Sequence, residues 1–165
     1  MRSATVEGWL VAVPQSSQVV SPAGYGWGDG DRALKEVCGH YRTMVRDYPV
    51  DLNRVVVGGF SQGGTAAISM ALSGSVPVRG ILGIACAPRS LDEVREAIGG
   101  TSVREMRLYL LVGDKDHVLE RATDFAEILK SAGMTARLDI RPALGHELPD
   151  DFGRSLVAAL EFLGS

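Results

Sequence analysis

Cysteine is scarce in this sequence, with only Cys38 and Cys86 among 165 residues, so no disulfide framework holds the fold and both are expected as reduced thiols. Lysine is nearly absent: three residues stand against fourteen arginines, and the basic side chains are scattered. With a net charge of −3 there is no stripe of positive charge to track phosphates, which excludes nucleic acid as the expected partner. No apolar run approaches the ~18 residues of a membrane span, and "GWLVAVP" is too short and lacks a small-residue cleavage site for a secretory signal. A cytoplasmic protein with no membrane span is therefore expected. Histidine is also rare, at three residues, which makes each one a candidate worth placing.

What is abundant is glycine, at 20 residues, together with a hydrophobic fraction of 45%. That length and composition suit one compact domain, 1–165. Apolar, β-rich runs alternate with helical patterns along the chain. Strands are predicted near Trp9–Val13, Arg54–Gly58, Gly80–Ala85, Arg107–Val112 and Ala136–Arg141. Helices are predicted near Asp31–Tyr48, Gln62–Leu72, Leu91–Ile98, Leu119–Ala132 and Asp151–Leu163. Five β-α units imply an α/β fold: a three-layer α/β/α sandwich with about five mainly parallel strands and functional loops at their carboxyl ends. The one long irregular tract is "PQSSQVVSPAGYGWGDGD", which follows the first predicted strand, where a binding loop belongs.

Among the glycines, those in "VVVGGFSQGGTAAISMAL" (residues 55–72) flank Ser61 in a G-x-S-x-G pattern. With 20 glycines and 13 serines in the chain, chance alone supplies about 0.2 such motifs, so the bare pattern is weak. Its context is stronger, because it joins a buried-type strand to an apolar helix. A sharp strand-to-helix turn lifts a serine hydroxyl above the sheet, provided Gly59 and Gly63 carry no side chains that would clash. The helix N-terminus then lies below it, and the Gln62 backbone N–H faces a developing oxyanion.

A serine nucleophile needs a histidine to take its proton and a carboxylate to hold that histidine. His40 falls inside a helix and reads as solvent-facing, whereas His117 in "LVGDKDHVLE" and His146 in "RPALGHELPDD" follow strands. In folds with this elbow the order is nucleophile, acid, base, which puts the base at His146, with His117 as a neighbour and the alternative. Asp114 and Asp116 compete for the acid; Asp114, directly after Gly113, suits a turn brace, and Asp116 is taken as the orienting carboxylate. Glu147 reads as a loop residue. Tyr25, Trp27, Cys86, Pro88 and Leu148 fall in loops at the same edge and are candidate pocket residues. One loop supplies too few convergent oxygens for a resident cation, so no metal and no cofactor are expected.

"GGFSQGG", "LVGDKDHV" and "GHELPDDF", in that order, resemble the carboxylesterase/phospholipase branch of the α/β-hydrolase superfamily, which includes acyl-protein thioesterases. "GYGWGD" at 24–29 is similar to that branch's aromatic-Asp segment, and the likeness runs from about Trp9 to the end. It implies a serine hydrolase of small acyl esters or thioesters, with Ser61, Asp116 and His146 as nucleophile, acid and base. It also marks a departure: members begin with further strands, one ending in a His-Gly segment whose loop gives the second oxyanion N–H, and no such segment occurs here. Two outcomes are expected for the slot beside the elbow strand: Trp9–Val13 fills it, bringing a Gln15 or Ser16 N–H to the oxyanion, or a strand of another chain does. Without a substitute donor the rate falls by about 10² to 10³. The alternative reading is a non-catalytic or severely impaired relic of that fold acting as a binding module. The open edge of a shortened sheet also makes a homodimer an expectation.

Overall fold

A computed structural model of the chain describes residues 2–100 and 103–165. In order, the elements are α1 (Arg2–Val6), the hairpin strands β1 (Gln18–Ser21) and β2 (Gly24–Gly26), α2 (Gly30–Asp47), β3 (Val56–Phe60) and α3 (Gln62–Leu72). There follow β4 (Gly80–Ile84), α4 (Leu91–Gly100), β5 (Arg107–Gly113), α5 (Leu119–Ser131), β6 (Thr135–Arg141) and α6 (Phe152–Gly164). β3, β4, β5 and β6 pair in that order, all parallel. Each crossover steps to the next strand in the same direction, so a single hand of connection lays α3, α4 and α5 on one face. The core is accordingly split in two. Ile68, Ile81, Leu108, Phe125 and Leu129 pack on the face covered by those helices, while Leu82, Tyr109, Leu111, Leu156 and Leu160 pack under α6 and α1 on the other.

β4 is buried at every residue, as is β5 apart from its first, which explains why both read as near-continuous apolar runs. β3 is the outermost strand on one side. The carbonyl of Val55 and the amide of Ser61 both point to β4, so by alternation the backbone groups of Val56, Gly58 and Phe60 face away from the sheet. The other edge, β6, carries Arg137, Asp139 and Arg141, charges that discourage pairing; β3, "VVGGF", carries none.

Among the described residues the parallel sheet has four strands where about five were expected, because Trp9–Val13 is not a strand. Residues 9–17 have no regular structure. The turn after α1 passes through Gly8, at φ +80°, with the Trp9 amide bonded back to the Ala4 carbonyl. Trp9 then lies under the Arg54 guanidinium, 5.0 Å from its ring centroid, and beside Gly164 at the end of α6. Stacking and burial there hold the segment across α6 and away from the β3 edge. Conversely, the tract expected to be irregular contains the β1–β2 hairpin. The Gln18 side chain staples it to the start of α2 through bonds to the Asp29 amide (2.8 Å) and carbonyl (3.0 Å). Asp29 in turn caps α2 through the Arg32 amide.

Candidate active site

The turn from β3 into α3 holds Ser61 at φ 51°, ψ −122°, a conformation that L-residues rarely adopt. It is fixed from both sides: the Ser61 amide donates to the Ile84 carbonyl at 2.9 Å, and its carbonyl accepts from the Thr65 amide at 3.0 Å. Two glycines make the turn possible. A Cβ on Gly59 would lie 2.5 Å from the Gly63 carbonyl carbon, and one on Gly64 would lie 2.5 Å from Cys86 Sγ and 2.7 Å from the Gly59 oxygen. At Gly63 the nearest atom would be 3.9 Å away, so the expectation that Gly59 and Gly63 are the two constrained positions is corrected to Gly59 and Gly64. The register explains the change, because Gly64 lies on the buried side of α3 against Cys86 while Gly63 faces Trp27.

The β5 turn and the loop after β6 converge on this serine. Ser61 Oγ lies 2.8 Å from His146 Nε2, and His146 Nδ1 lies 3.0 Å from each Asp116 carboxylate oxygen. A ring nitrogen facing a carboxylate carries the proton, so Nδ1–H donates to Asp116 and the Nε2 lone pair accepts from the serine hydroxyl. Asp116 is buried, and its Oδ1 also accepts from the Val118 amide at 3.0 Å. Asp114 is exposed, and its backbone amide donates to the Arg141 carbonyl at 2.9 Å. The loop bearing His146 is seated on the end of β5. The Lys115 amide donates to the Leu144 carbonyl at 3.0 Å, and a Cβ on Gly113 would stand 2.0 Å from that same oxygen. Only a glycine allows that approach.

The His146 ring sits between Phe60 (centroids 5.4 Å apart) and His117 (4.8 Å). His117 is mostly exposed, with Nδ1 3.2 Å from Asp116 Oδ1, so both histidines address one carboxylate. His40 is exposed on α2 and remote from this cluster in sequence and element. Among the described residues, Asp116, His117 and His146 form a group of ligand-type side chains with one atom of each within 4.8 Å of the others.

Gln62 opens α3, where the first backbone amides lack helical partners. Its side-chain oxygen accepts from the Trp27 amide at 2.7 Å, which ties the 24–29 segment to the elbow. Neither Gln15 nor Ser16 bonds to Ser61 among the described residues. Gln15 is exposed, Ser16 is buried with its hydroxyl toward Glu36, and the strand that was to carry them does not form. Trp27 and Pro88 do line a groove of about 370 Å³, with Leu34, Thr65, Ile68 and Val94, between α2 and α4 over α3. Arg89 spans from the α4 side to the Gly28 carbonyl at 2.7 Å. Tyr25 and Leu148 stand exposed outside that groove. Cys86 lies in the core, where burial, aided by the charge of Asp116, pushes its thiol up to about 12 against an opposing hydrogen bond from the Ile84 backbone. A thiol held neutral in this way is no nucleophile. Phe60, Thr65 and Gly113 were not singled out from the sequence; only the position of Gly113 at the end of a strand, before "DKD", hinted at a close approach.

Residues 34–164 match the phospholipase/carboxylesterase family. The chain belongs to that family. No curated protein matches it. Among solved structures, this carboxylesterase-family chain is similar to an uncharacterized protein from Bacillus cereus ATCC 10987, at 26% identity and a TM-score of 0.89. The match covers 99% of this chain and 54% of that one, so the chain spans about half the length of that relative. It is also similar to esterase PE8 (20% identity, TM-score 0.76, covering 90% of this chain and 75% of that one) and to Zea mays acyl-protein thioesterase 2 (19%, 0.61, 86% and 70%). The fold is thus that of α/β-hydrolases. Among the described residues of this family member, no helix is long and apolar enough to cross a membrane.

Proposed function

We propose that the protein hydrolyses carboxylic esters or thioesters of small acyl groups through an acyl-enzyme on Ser61. The observation that carries the reading is the continuous hydrogen-bond chain from Ser61 Oγ through His146 to the buried Asp116, at 2.8 and 3.0 Å. The Ser61 oxygen attacks the substrate carbonyl while His146 Nε2 takes its proton, and Asp116 stabilises the imidazolium that results. The tetrahedral oxyanion collects charge at the N-terminus of α3, where the Gln62 N–H is the proposed donor. His146 then returns its proton to the departing alkoxide or thiolate, and water releases the acyl group by the same steps in reverse order. The groove beside Trp27 and Pro88, apolar at Leu34 and Ile68, is the candidate place for the acyl or leaving group.

The test is covalent labelling with a fluorophosphonate probe alongside turnover of a short activated ester. Labelling at Ser61, with both labelling and turnover lost in Ser61→Ala, is expected. Turnover retained in folded Ser61→Ala protein would move the nucleophile elsewhere, and folded wild-type protein that neither labels nor turns over would leave the binding-module reading in its place.

A further inference from the structure

We propose that Asp116, His117 and His146 together form a binding site for a divalent transition-metal ion of the zinc class, and that occupation of this site disables the catalytic base. The binding claim stands on the donor cluster alone; the inhibitory consequence rests on the hydrolase reading above.

Two imidazoles and a carboxylate are a donor set that zinc accepts, with its fourth position left to water. A tetrahedral ion with bonds of about 2.0 to 2.1 Å holds its donors roughly 3.4 Å apart. Two pairs in the cluster already stand near that spacing: Asp116 with His146 Nδ1 at 3.0 Å, and Asp116 with His117 Nδ1 at 3.2 Å. The widest separation in the group is within 4.8 Å, and it closes by rotation of His117, whose side chain is 74% exposed and gives up little packing. The other two donors are preorganised. Asp116 is held by the Val118 amide within the turn after β5, and the His146 ring is flanked by Phe60. Mg²⁺, which demands oxygen ligands in octahedral array, does not suit this set.

The consequence follows from proton accounting. A neutral imidazole has one N–H and one lone pair. In the metal-free site the lone pair is on Nε2, toward Ser61, and the proton on Nδ1, toward Asp116. An ion bound at Nδ1 takes a lone pair there, so the ring proton moves to Nε2. No proton is lost and no electron is transferred, yet Nε2–H now points at Ser61 and has no lone pair with which to accept the serine proton. His117 completes the site while only His146 is bonded to Ser61, so removing His117 takes away one donor to the ion and leaves Nε2 in place.

The experiment titrates ZnCl₂, with MgCl₂ as control, against ester turnover by wild-type and His117→Ala proteins, and measures Zn²⁺ binding by calorimetry on wild type, Ser61→Ala and His117→Ala. Expected are one-site Zn²⁺ binding, inhibition reversed by a chelator, no effect of Mg²⁺, and in His117→Ala, measured relative to that variant's own metal-free turnover, a half-inhibiting Zn²⁺ concentration raised at least about tenfold. His117→Gln serves as the second variant. One-site binding in Ser61→Ala that is lost in His117→Ala upholds the site even if no ester is turned over, which would count against the hydrolase reading only. Absence of binding in folded protein, or binding and inhibition indifferent to His117, overturns the proposal.

Discussion

Gly63→Ala and Gly64→Ala differ by one position in a glycine pair, and their outcomes are expected to diverge. At Gly64 a methyl group would stand 2.5 Å from Cys86 Sγ and 2.7 Å from the Gly59 carbonyl oxygen, each short of an ordinary contact by about 1 Å. Neither neighbour yields easily: Cys86 is 3% exposed, and the Gly59 carbonyl belongs to the strand that feeds the elbow. Overpacking of this kind costs about 1 to 3 kcal/mol. What gives way is the seat of Ser61, and a displacement on the order of 1 Å costs about 10²-fold in turnover. At Gly63 the nearest atom to the methyl is Trp27 Cδ1 at 3.9 Å, and the backbone there has no positive φ. Restricting the unfolded chain at such a site stabilises by about 0.4 to 1 kcal/mol. Urea denaturation and steady-state hydrolysis of a short activated ester read both quantities. Gly63→Ala should match or exceed wild-type stability and keep activity, while Gly64→Ala loses both. Equal behaviour, or a worse result at Gly63, would refute the packing argument and restore the weight that the G-x-S-x-G spacing gives to Gly63.

Gly113→Ala should push the Leu144–His146 loop off β5, because its methyl would meet the Leu144 carbonyl at 2.0 Å; turnover is expected to drop by about 10²-fold or more, and wild-type kinetics would sink the idea that this glycine seats the base. Alkaline conditions should destabilise the fold through Cys86. Its ordinary value is 9.0 and its folded value about 12, so its contribution is intact below pH 9 and is lost as pH rises toward 12, at about 1.4 kcal/mol per pH unit. Urea midpoints between pH 9 and 10 should therefore fall in wild type and flatten in Cys86→Ala, before Tyr109, also raised to about 12 by burial, begins to contribute above 10; an identical slope in the variant would remove Cys86 as the cause. The uncharged β3 edge should support self-association, seen as concentration-dependent dimer in sedimentation with slowed hydrogen exchange at the Val56, Gly58 and Phe60 amides; a monomer with fast exchange at all three would count against it.

The legibility of this fold followed the strength of local signals. α3 was bounded from sequence at Gln62–Leu72, as found, because the elbow glycines and the end of the apolar run mark both limits. α2, α5 and α6 lay within a residue of their predicted ends, since apolar periodicity marks all three and the Asp29 side chain caps α2. Trp9–Val13 failed for a reason that no window of sequence contains: an apolar run becomes a strand only where an edge receives it, and the Arg54 guanidinium and the end of α6 receive Trp9 instead. The hairpin was missed because its strands are four and three residues long and are held by the side-chain amides of Gln18 and Gln62, bonds that propensity does not register. The site shows the same division. Ser61, Asp116 and His146 could be named from order and spacing, but nothing in "GDKDHV" says that His117 turns back on the same carboxylate as His146. That convergence is a property of the turn after β5, where Asp116 is buried by its bond to the Val118 amide and the intervening His117 is left on the rim. A residue that sequence order sets aside as a spare base thus lies, in three dimensions, on the same carboxylate as the proposed base and against its ring.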